Sequence, residues 1–182
     1  MVTTERAARQ EWRTPPDLFE VLDQEFEFHI DAAATKENAL CAVWYGPGSE
    51  GHEDALSCEW IYSMTHFCNP GFGNFLPWVE ACIRAASERR CTVVLVGLVA
   101  PSTKWWTLAE QHAAQIRLCA PRPQFLPPVD ANGRAAVKQS SNPREIAVFV
   151  FTPDSARHPG GGCRVRQWRW KDELAHLRGE EH

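Results

Sequence analysis

Two short clusters hold the residue types best suited to chemistry. One is Asp31-Ala32-Ala33-Ala34-Thr35; the other is Asn69-Pro70-Gly71-Phe72-Gly73. Each follows a short strand-like stretch, and in open parallel sheets ligands collect at the carboxyl ends of strands. A carboxylate there can hold a hydroxyl or amine of a cofactor, and the alanines after Asp31 permit close approach. Taken alone, Asp31 equally suits a turn or a helix cap, and a bare Asn-Pro-x-Phe equally suits a turn. Other candidates are weaker. Cys58, His66 and Cys68 match no common zinc spacing and lack an evident fourth ligand, so no metal site is assigned. Gly160-Gly161-Gly162 lacks the Lys-Ser/Thr of a phosphate loop. The tail Arg164-Val165-Arg166-Gln167-Trp168-Arg169-Trp170-Lys171 mixes cations with aromatics. It reads either as a phosphate-binding surface or as an amphipathic end with Trp168 and Trp170 packed on the body. His112 and His176 read as surface residues.

The elements that position these clusters follow from local patterning. Thr14-Pro15-Pro16-Asp17 predicts a helix start with Thr14 as N-cap, Pro15 first in the helix and Asp17 facing the cap. Leu18, Val21, Leu22 and Phe26 carry that helix to residues 24–26. Phe26 to Asp31 alternates as a strand does. Residues 32–60 read as a long functional loop with one helical turn. Ser63 to Cys68 predicts a strand, and Asn74 caps a helix with Phe75, Leu76, Val79, Cys82, Ile83 and Ala86 on one face, ending in Arg89-Arg90. Thr92 to Val99 is an unbroken apolar run, as in a strand buried on both faces. A helix over Lys104 to Ala114 and strands over Ile116 to Cys119 and Ile146 to Phe151 follow, with polar loops at 127–143 and 153–163. Alternating strands and helices predict a single α/β domain with a mainly parallel sheet and flanking helices.

The Asn69-Pro70-Gly71-Phe72 segment looks like the (Asp/Asn/Ser)-Pro-Pro-(Tyr/Phe) motif of methyltransferases that modify exocyclic amino groups. Such an amine is a poor nucleophile because its lone pair is delocalised into the ring. In that motif the Asn side-chain oxygen and the Pro carbonyl accept its two N–H groups and aim the lone pair at an electrophilic methyl. The aromatic stacks on the extruded base.

Together with Glu11-Trp12-Arg13-Thr14-Pro15-Pro16, Asp31-Ala32-Ala33, Asn38-Ala39-Leu40-Cys41, Asp54-Ala55-Leu56 with Trp60, Trp78 and Thr103-Lys104-Trp105-Trp106, the segment resembles the phage-type (Dam-like) DNA N6-adenine methyltransferase family. The resemblance covers roughly residues 11–151. It implies a Rossmann-like class I methyltransferase fold and an S-adenosylmethionine-dependent enzyme of a phage or prophage that methylates adenine N6 in double-stranded DNA. It assigns Asn69, Pro70, Gly71 and Phe72 to catalysis, and Thr14, Pro15, Asp31, Ala32, Ala33 and Asn69 to the cofactor pocket. Thr103 and Trp106 match a family feature with no assigned role. The family usually has Pro where this chain has Gly71, and Gly there loosens the loop by about 0.5–1 kcal/mol of backbone entropy. The alternatives are a methyltransferase acting on cytosine N4 or RNA, and a catalytically impaired DNA-binding relative. The implied organisation is a flexible arm at 1–12, the methyltransferase domain at 13–152, and a basic, aromatic extension at 153–182, packed on the domain or facing DNA.

The net charge of −4 at first speaks against nucleic acid. Counted by halves, residues 1–91 hold 7 Lys/Arg and 15 Asp/Glu (−8), and residues 92–182 hold 12 and 8 (+4). The average therefore hides a dipolar chain. Lys104, Arg122, Arg134, Lys138, Arg144, Arg166 and Arg169 are the expected phosphate contacts, and the loop 127–143 the expected target-recognition segment. The longest apolar run, Thr92 to Ala100, is too short to span a membrane. The polar N-terminus is not that of a secretory signal, and seven cysteines with no CxxC pair read as reduced thiols. The expectation is a protein of the bacterial host's cytoplasm, monomeric or dimeric, with no obligatory protein partner.

Overall fold

The strand Thr92–Leu98 shows how the layers are built. Residues 93–98 are all buried, and their side chains alternate between two cores. Val93 and Leu95 join one apolar cluster while Val94 and Val96 join the other. Period-two alternation thus places apolar side chains on both faces of the sheet, and both faces must be covered by helices.

The computed structural model describes residues 12–127 and 144–180. In chain order its elements are α1 (Pro16–Phe26), β1 (Ile30–Asp31), β2 (Val43–Trp44), β3 (Thr65–Cys68), α2 (Leu76–Arg89), β4 (Thr92–Leu98), α3 (Lys104–His112), β5 (Gln115–Cys119), β6 (Ile146–Phe151), α4 (Pro153–Arg157), β7 (Arg164–Trp168) and α5 (Trp170–Arg178). The seven strands form one sheet in the order β2-β1-β3-β4-β6-β5-β7. Strand β6 is antiparallel to both its neighbours, and the other adjacent pairs are parallel. One core cluster packs α2 and α3 on the sheet through Val79, Cys82, Ala85, Trp106 and Ala109. The other packs α1 and α5 on the opposite face through Leu18, Val21, Leu22, Trp170 and Leu174. The result is a three-layer α/β sandwich of the Rossmann-like kind. Among the described residues no helix is long and apolar enough to cross a membrane.

Several local expectations are corrected. Helix α1 begins at Pro16 with Pro15 in the N-cap position and no side-chain cap. The Thr14 hydroxyl is instead turned to Asn69, and Asp17 faces Lys171 and Arg178 rather than the cap. The alternation over Phe26 to Asp31 yields only the two-residue β1, because Glu27 takes a left-handed turn (φ 52°) that ends the helix. Asn74 does not cap α2: Phe75 holds that position without a side-chain bond. The long loop contains β2, an edge strand paired with β1. The loop at 153–163 starts with α4, whose capping box is formed by Thr152 and Ser155. His112 is half-buried and bonded through Nδ1 to the Ala156 carbonyl (3.0 Å), joining α3 to α4.

The cation-rich tail forms β7 and the start of α5. Trp168 and Trp170 are buried, and β7 pairs in parallel with β5 along its whole length. Trp12, at the edge of the expected arm, packs against the second cluster. Thr103 gains a structural role here: its Oγ1 accepts from the Trp106 N–H at the start of α3 (3.3 Å), and buried Trp106 sits edge-on to Phe149. Arg134, Lys138 and the loop 127–143, save Pro127, lie outside the described residues.

Candidate active site

The chain runs outward from β1 to β2 on one side, then crosses back to β3 on the other side of β1 and onward to β4. The crevice of an open α/β sheet lies where the strand order reverses, outside the carboxyl ends. Here that point falls between β1 and β3, whose last residues lead into the two polar clusters. Asp31 sits in register with Phe67 of β3 and with Trp44 of β2, and the Ala32 N–H donates to the Phe67 carbonyl (2.7 Å). Asn69 follows β3 directly. The two clusters picked out from residue type alone are neighbours across one strand boundary.

Asn69 is half-buried, and its Nδ2 donates to Thr14 Oγ1 at 2.7 Å. Thr14 is 6% exposed, sitting just before α1. Its neighbour Arg13 exchanges two backbone hydrogen bonds with Leu126 (2.9 and 3.0 Å), and Arg13 Nε donates to the Pro127 carbonyl (3.4 Å). Buried Phe125, beside Leu126, meets the Phe72 ring edge-on at 5.9 Å, and Phe75 flanks Phe72 at 6.3 Å. Three segments distant in sequence therefore converge: residues 12–14, 69–75 and 125–127. Sequence reasoning missed the third, because Phe125-Leu126-Pro127 carries no pattern beyond two apolar residues and a proline. Gly97 serves the same cluster from the middle of β4, since a Cβ there would come within 2.5 Å of the Phe75 ring.

Asp31 is 4% exposed, and burial pushes its carboxyl up to about 6, against the lowering effect of backbone N–H donors. Oδ1 accepts from the Ala33 N–H (3.3 Å) and Oδ2 from the Leu40 N–H (3.1 Å), so Asp31 organises the loop that follows it. Each carboxylate oxygen keeps a further acceptor direction. On Trp44, the residue of β2 in register with it, the Nε1 is buried with no hydrogen-bond partner among the described residues. The loop returns close to this corner: a Cβ on Gly46 (φ 147°) would lie 1.9 Å from the Ala34 carbonyl oxygen. A buried acceptor, an orphaned buried donor and small residues at adjoining strand ends fit a cofactor bearing hydroxyl and amino groups.

On the neighbouring strand, His66 is fully buried. Its Nδ1 faces the Met64 carbonyl (3.2 Å) and must carry the proton, so Nε2 accepts from the Tyr45 hydroxyl (3.2 Å), which in turn accepts from the Ile61 N–H (2.8 Å). Burial pushes this imidazole down to about 4. His66 is thus a neutral, satisfied core residue. Burial pushes the Cys41 and Cys119 thiols up to about 12 and Cys163 up to about 11, so none of these is a thiolate at neutral pH. Among the described residues no group of three or more His, Cys, Asp or Glu is placed to hold a metal ion.

The expected cations divide by topology. Lys104 follows the carboxyl end of β4, Arg122 that of β5 and Arg169 that of β7, while Arg144 precedes the reversed β6. All four therefore lie at the sheet edge that carries Asp31 and Asn69. Lys104 is exposed, Arg122 is 3.8 Å from Glu145, and Arg169 pairs with Asp172 at 2.8 Å. Arg166 sits mid-strand in β7, away from that edge.

The chain matches the family described as DNA N-6-adenine-methyltransferase (Dam) over residues 1–158. It is 27% identical over 117 residues to a DNA N-6-adenine-methyltransferase of Haemophilus phage HP1 (strain HP1c1), covering 62% of this chain and 64% of that protein. It is also 27% identical over 114 residues to the DNA N-6-adenine-methyltransferase of Escherichia phage T1, covering 62% of this chain and 46% of that protein. The matched segments thus span less than two thirds of either relative. The family match covers the first strand, the switch point, the Asn-Pro-Gly-Phe segment and the helices around them: the chain belongs to the Dam family of DNA N-6-adenine methyltransferases.

Proposed function

We propose that this protein transfers a methyl group from S-adenosylmethionine to the N6 amine of adenine in double-stranded DNA. The observation that carries the reading is Asn69-Pro70-Gly71-Phe72 at the carboxyl end of β3, next to Asp31 at the switch point, in a chain of the Dam family. With Nδ2 given to Thr14, Asn69 Oδ1 takes no hydrogen bond among the described residues. Oδ1 and the Pro70 carbonyl would accept the two N–H groups of the amine, drawing nitrogen out of conjugation with the ring. A carboxamide is too weak a base to take the proton outright, so Asn69 polarises and orients, and the proton leaves to solvent once nitrogen has become cationic. Phe72, braced by Phe125 and Phe75, would give the extruded base a fixed face.

S-adenosylmethionine would supply an electrophilic methyl on a sulfonium. Asp31, Ala32 and Ala33 with Trp44 would line its pocket, Asp31 accepting from a hydroxyl and the Trp44 N–H filling its missing acceptor. Lys104, Arg122, Arg144 and Arg169 on the same edge would contact phosphates. Arg134 and Lys138 remain proposed phosphate contacts from sequence alone, as does the loop 127–143 as the recognition segment. Pro15, buried before α1, would wall the pocket.

The test is transfer of tritiated methyl from S-adenosylmethionine to unmethylated DNA by the wild-type chain and by Asn69→Ala. Incorporation by the wild type that falls at least about 100-fold in the variant is expected for loss of a preorganised hydrogen bond. Incorporation absent from the wild type, or unchanged in the variant, overturns the reading.

A further inference from the structure

Phe72 is poorly held by its own segment. It stands between Gly71 and Gly73, the residue type with the widest choice of φ and ψ. Among the described residues no backbone hydrogen bond involves residues 71–74. A ring that must offer a fixed face to an extruded base cannot rely on such a backbone. Its placement has to come from what it touches.

Two rings touch it. Phe75, at the start of α2, lies 6.3 Å away and tilted by 57°. Phe125 is closer, at 5.9 Å, and edge-on at 85°, an arrangement that aromatic pairs favour. Phe125 comes from a segment distant in sequence and is tied down on both sides. Ahead of it, the Pro121 carbonyl accepts from Trp170 Nε1 of α5 (2.6 Å). After it, Leu126 exchanges two backbone bonds with Arg13 (2.9 and 3.0 Å). The Phe125 side chain is 5% exposed and belongs to the second core cluster, against which Phe72 packs. The mobile backbone therefore carries a ring that meets an anchored one.

We infer that Phe125 is a positioning residue: it fixes the plane of the Phe72 ring and so governs methyl transfer without touching the substrate. This rests on the amine-methylation reading above and deepens it, since the Asn-Pro-Gly-Phe segment supplies the stacking ring and a segment outside it aims that ring.

The experiment measures steady-state methyl transfer to unmethylated DNA by the wild type, Phe125→Leu, Phe72→Leu and the double variant, with S-adenosylmethionine affinity by calorimetry for each. Leucine keeps most of the apolar bulk and loses the flat ring. Phe125→Leu is expected to lower kcat about 10-fold, the scale of a misplaced reactant, with Kd for S-adenosylmethionine within about twofold. Acting only through Phe72, the same substitution should cost less than about twofold in the Phe72→Leu background. If that parent is silent, the split between kcat and cofactor affinity decides. Should Phe125→Leu fail to fold, Phe125→Met takes its place. Unchanged kcat in Phe125→Leu overturns the inference. So does a loss of the same size in both backgrounds, or a loss that follows cofactor affinity. A wild type that does not methylate adenine defeats the functional reading; an active wild type indifferent to Phe125→Leu defeats only this inference.

Discussion

The two ends of the sheet solve different problems. At β1 and β3, strands of two and four residues end at Asp31, whose oxygens each accept one backbone N–H, and just before Asn69, whose side chain is held by Thr14. Around β5, and between α1 and α5, charges are matched across long distances in sequence. The buried Arg117 guanidinium reaches both Glu25 oxygens (2.5 and 2.6 Å) and lies over the Phe26 and Trp168 rings. From α5, Lys171 and Arg178 grip Asp17 and Glu20 of α1. Three cations of the second half, Arg117, Lys171 and Arg178, are therefore spent internally on acids of the first half. Part of the dipolar sequence thus marks an intramolecular clamp. Among the described residues buried donors without a partner occur at both ends, Trp44 Nε1 on β2 and Arg122 Nε and Trp168 Nε1 near β5 and on β7, so it is the paired charges rather than polar satisfaction that set the two ends apart.

The sharpest way to break this comparison is to injure each end separately. Asn69→Ala should remove at least about 100-fold of methyl transfer while the melting temperature stays within about 2 °C, as the side chain is only half-buried. Glu25→Ala should do the reverse. It strands the Arg117 charge, costing about 3 kcal/mol in urea unfolding, at the low end for an orphaned buried charge because Glu25 is half exposed, with activity per folded molecule unchanged. Parallel losses of stability and activity in both variants would refute the division.

The next effect is a pH dependence within the site end. Burial raises the Asp31 pKa from 3.8 to about 6, so its contribution to stability is present at low pH and lost as pH rises through that window. Burial lowers His66 from 6.5 to about 4, so its contribution is present above 6.5 and lost as pH falls. The two oppose each other, and the wild type should show a shallow profile between pH 5 and 7. Asp31→Asn removes one side, and urea unfolding of that variant should weaken by about 2 kcal/mol from pH 7 to pH 5. A flat profile in the variant would deny the neutral Tyr45–His66 pair.

Smaller effects test loop and surface. Gly71 is not among the residues with positive φ, and Gly71→Pro, which installs the residue usual at this place in the family, should raise kcat. Lower activity would show that this loop must flex. Lys171→Ala breaks an exposed ion pair and should cost about 0.2–1 kcal/mol without altering DNA binding, whereas Lys104→Ala should weaken DNA binding and lower its salt slope by about one.

The layers were legible in sequence because Thr92 to Leu98 and Ile146 to Phe151 are apolar on both faces, which only a central strand tolerates. Asp31 and Asn69 were legible because polar residues at strand ends stand out against apolar runs. Strand β7 was hidden: its exposed edge reads as a charged tail, and only Trp168 faces the core. Thr14 was misread for a physical reason. Thr-Pro-Pro satisfies every local rule for a helix cap, and the bond that overrides them comes from 55 residues away. Phe125 and Leu126 had no local signal, because their role lies in what they touch.

The central claim, that Asn69 and the Pro70 carbonyl activate an adenine amine, is tested most directly by nucleoside mass spectrometry of unmethylated DNA incubated with the purified chain and S-adenosylmethionine. The account predicts N6-methyladenine as the methylated product of the wild type and its loss in Asn69→Ala. N4-methylcytosine in its place, no methylated base, or equal N6-methyladenine from the variant would contradict it.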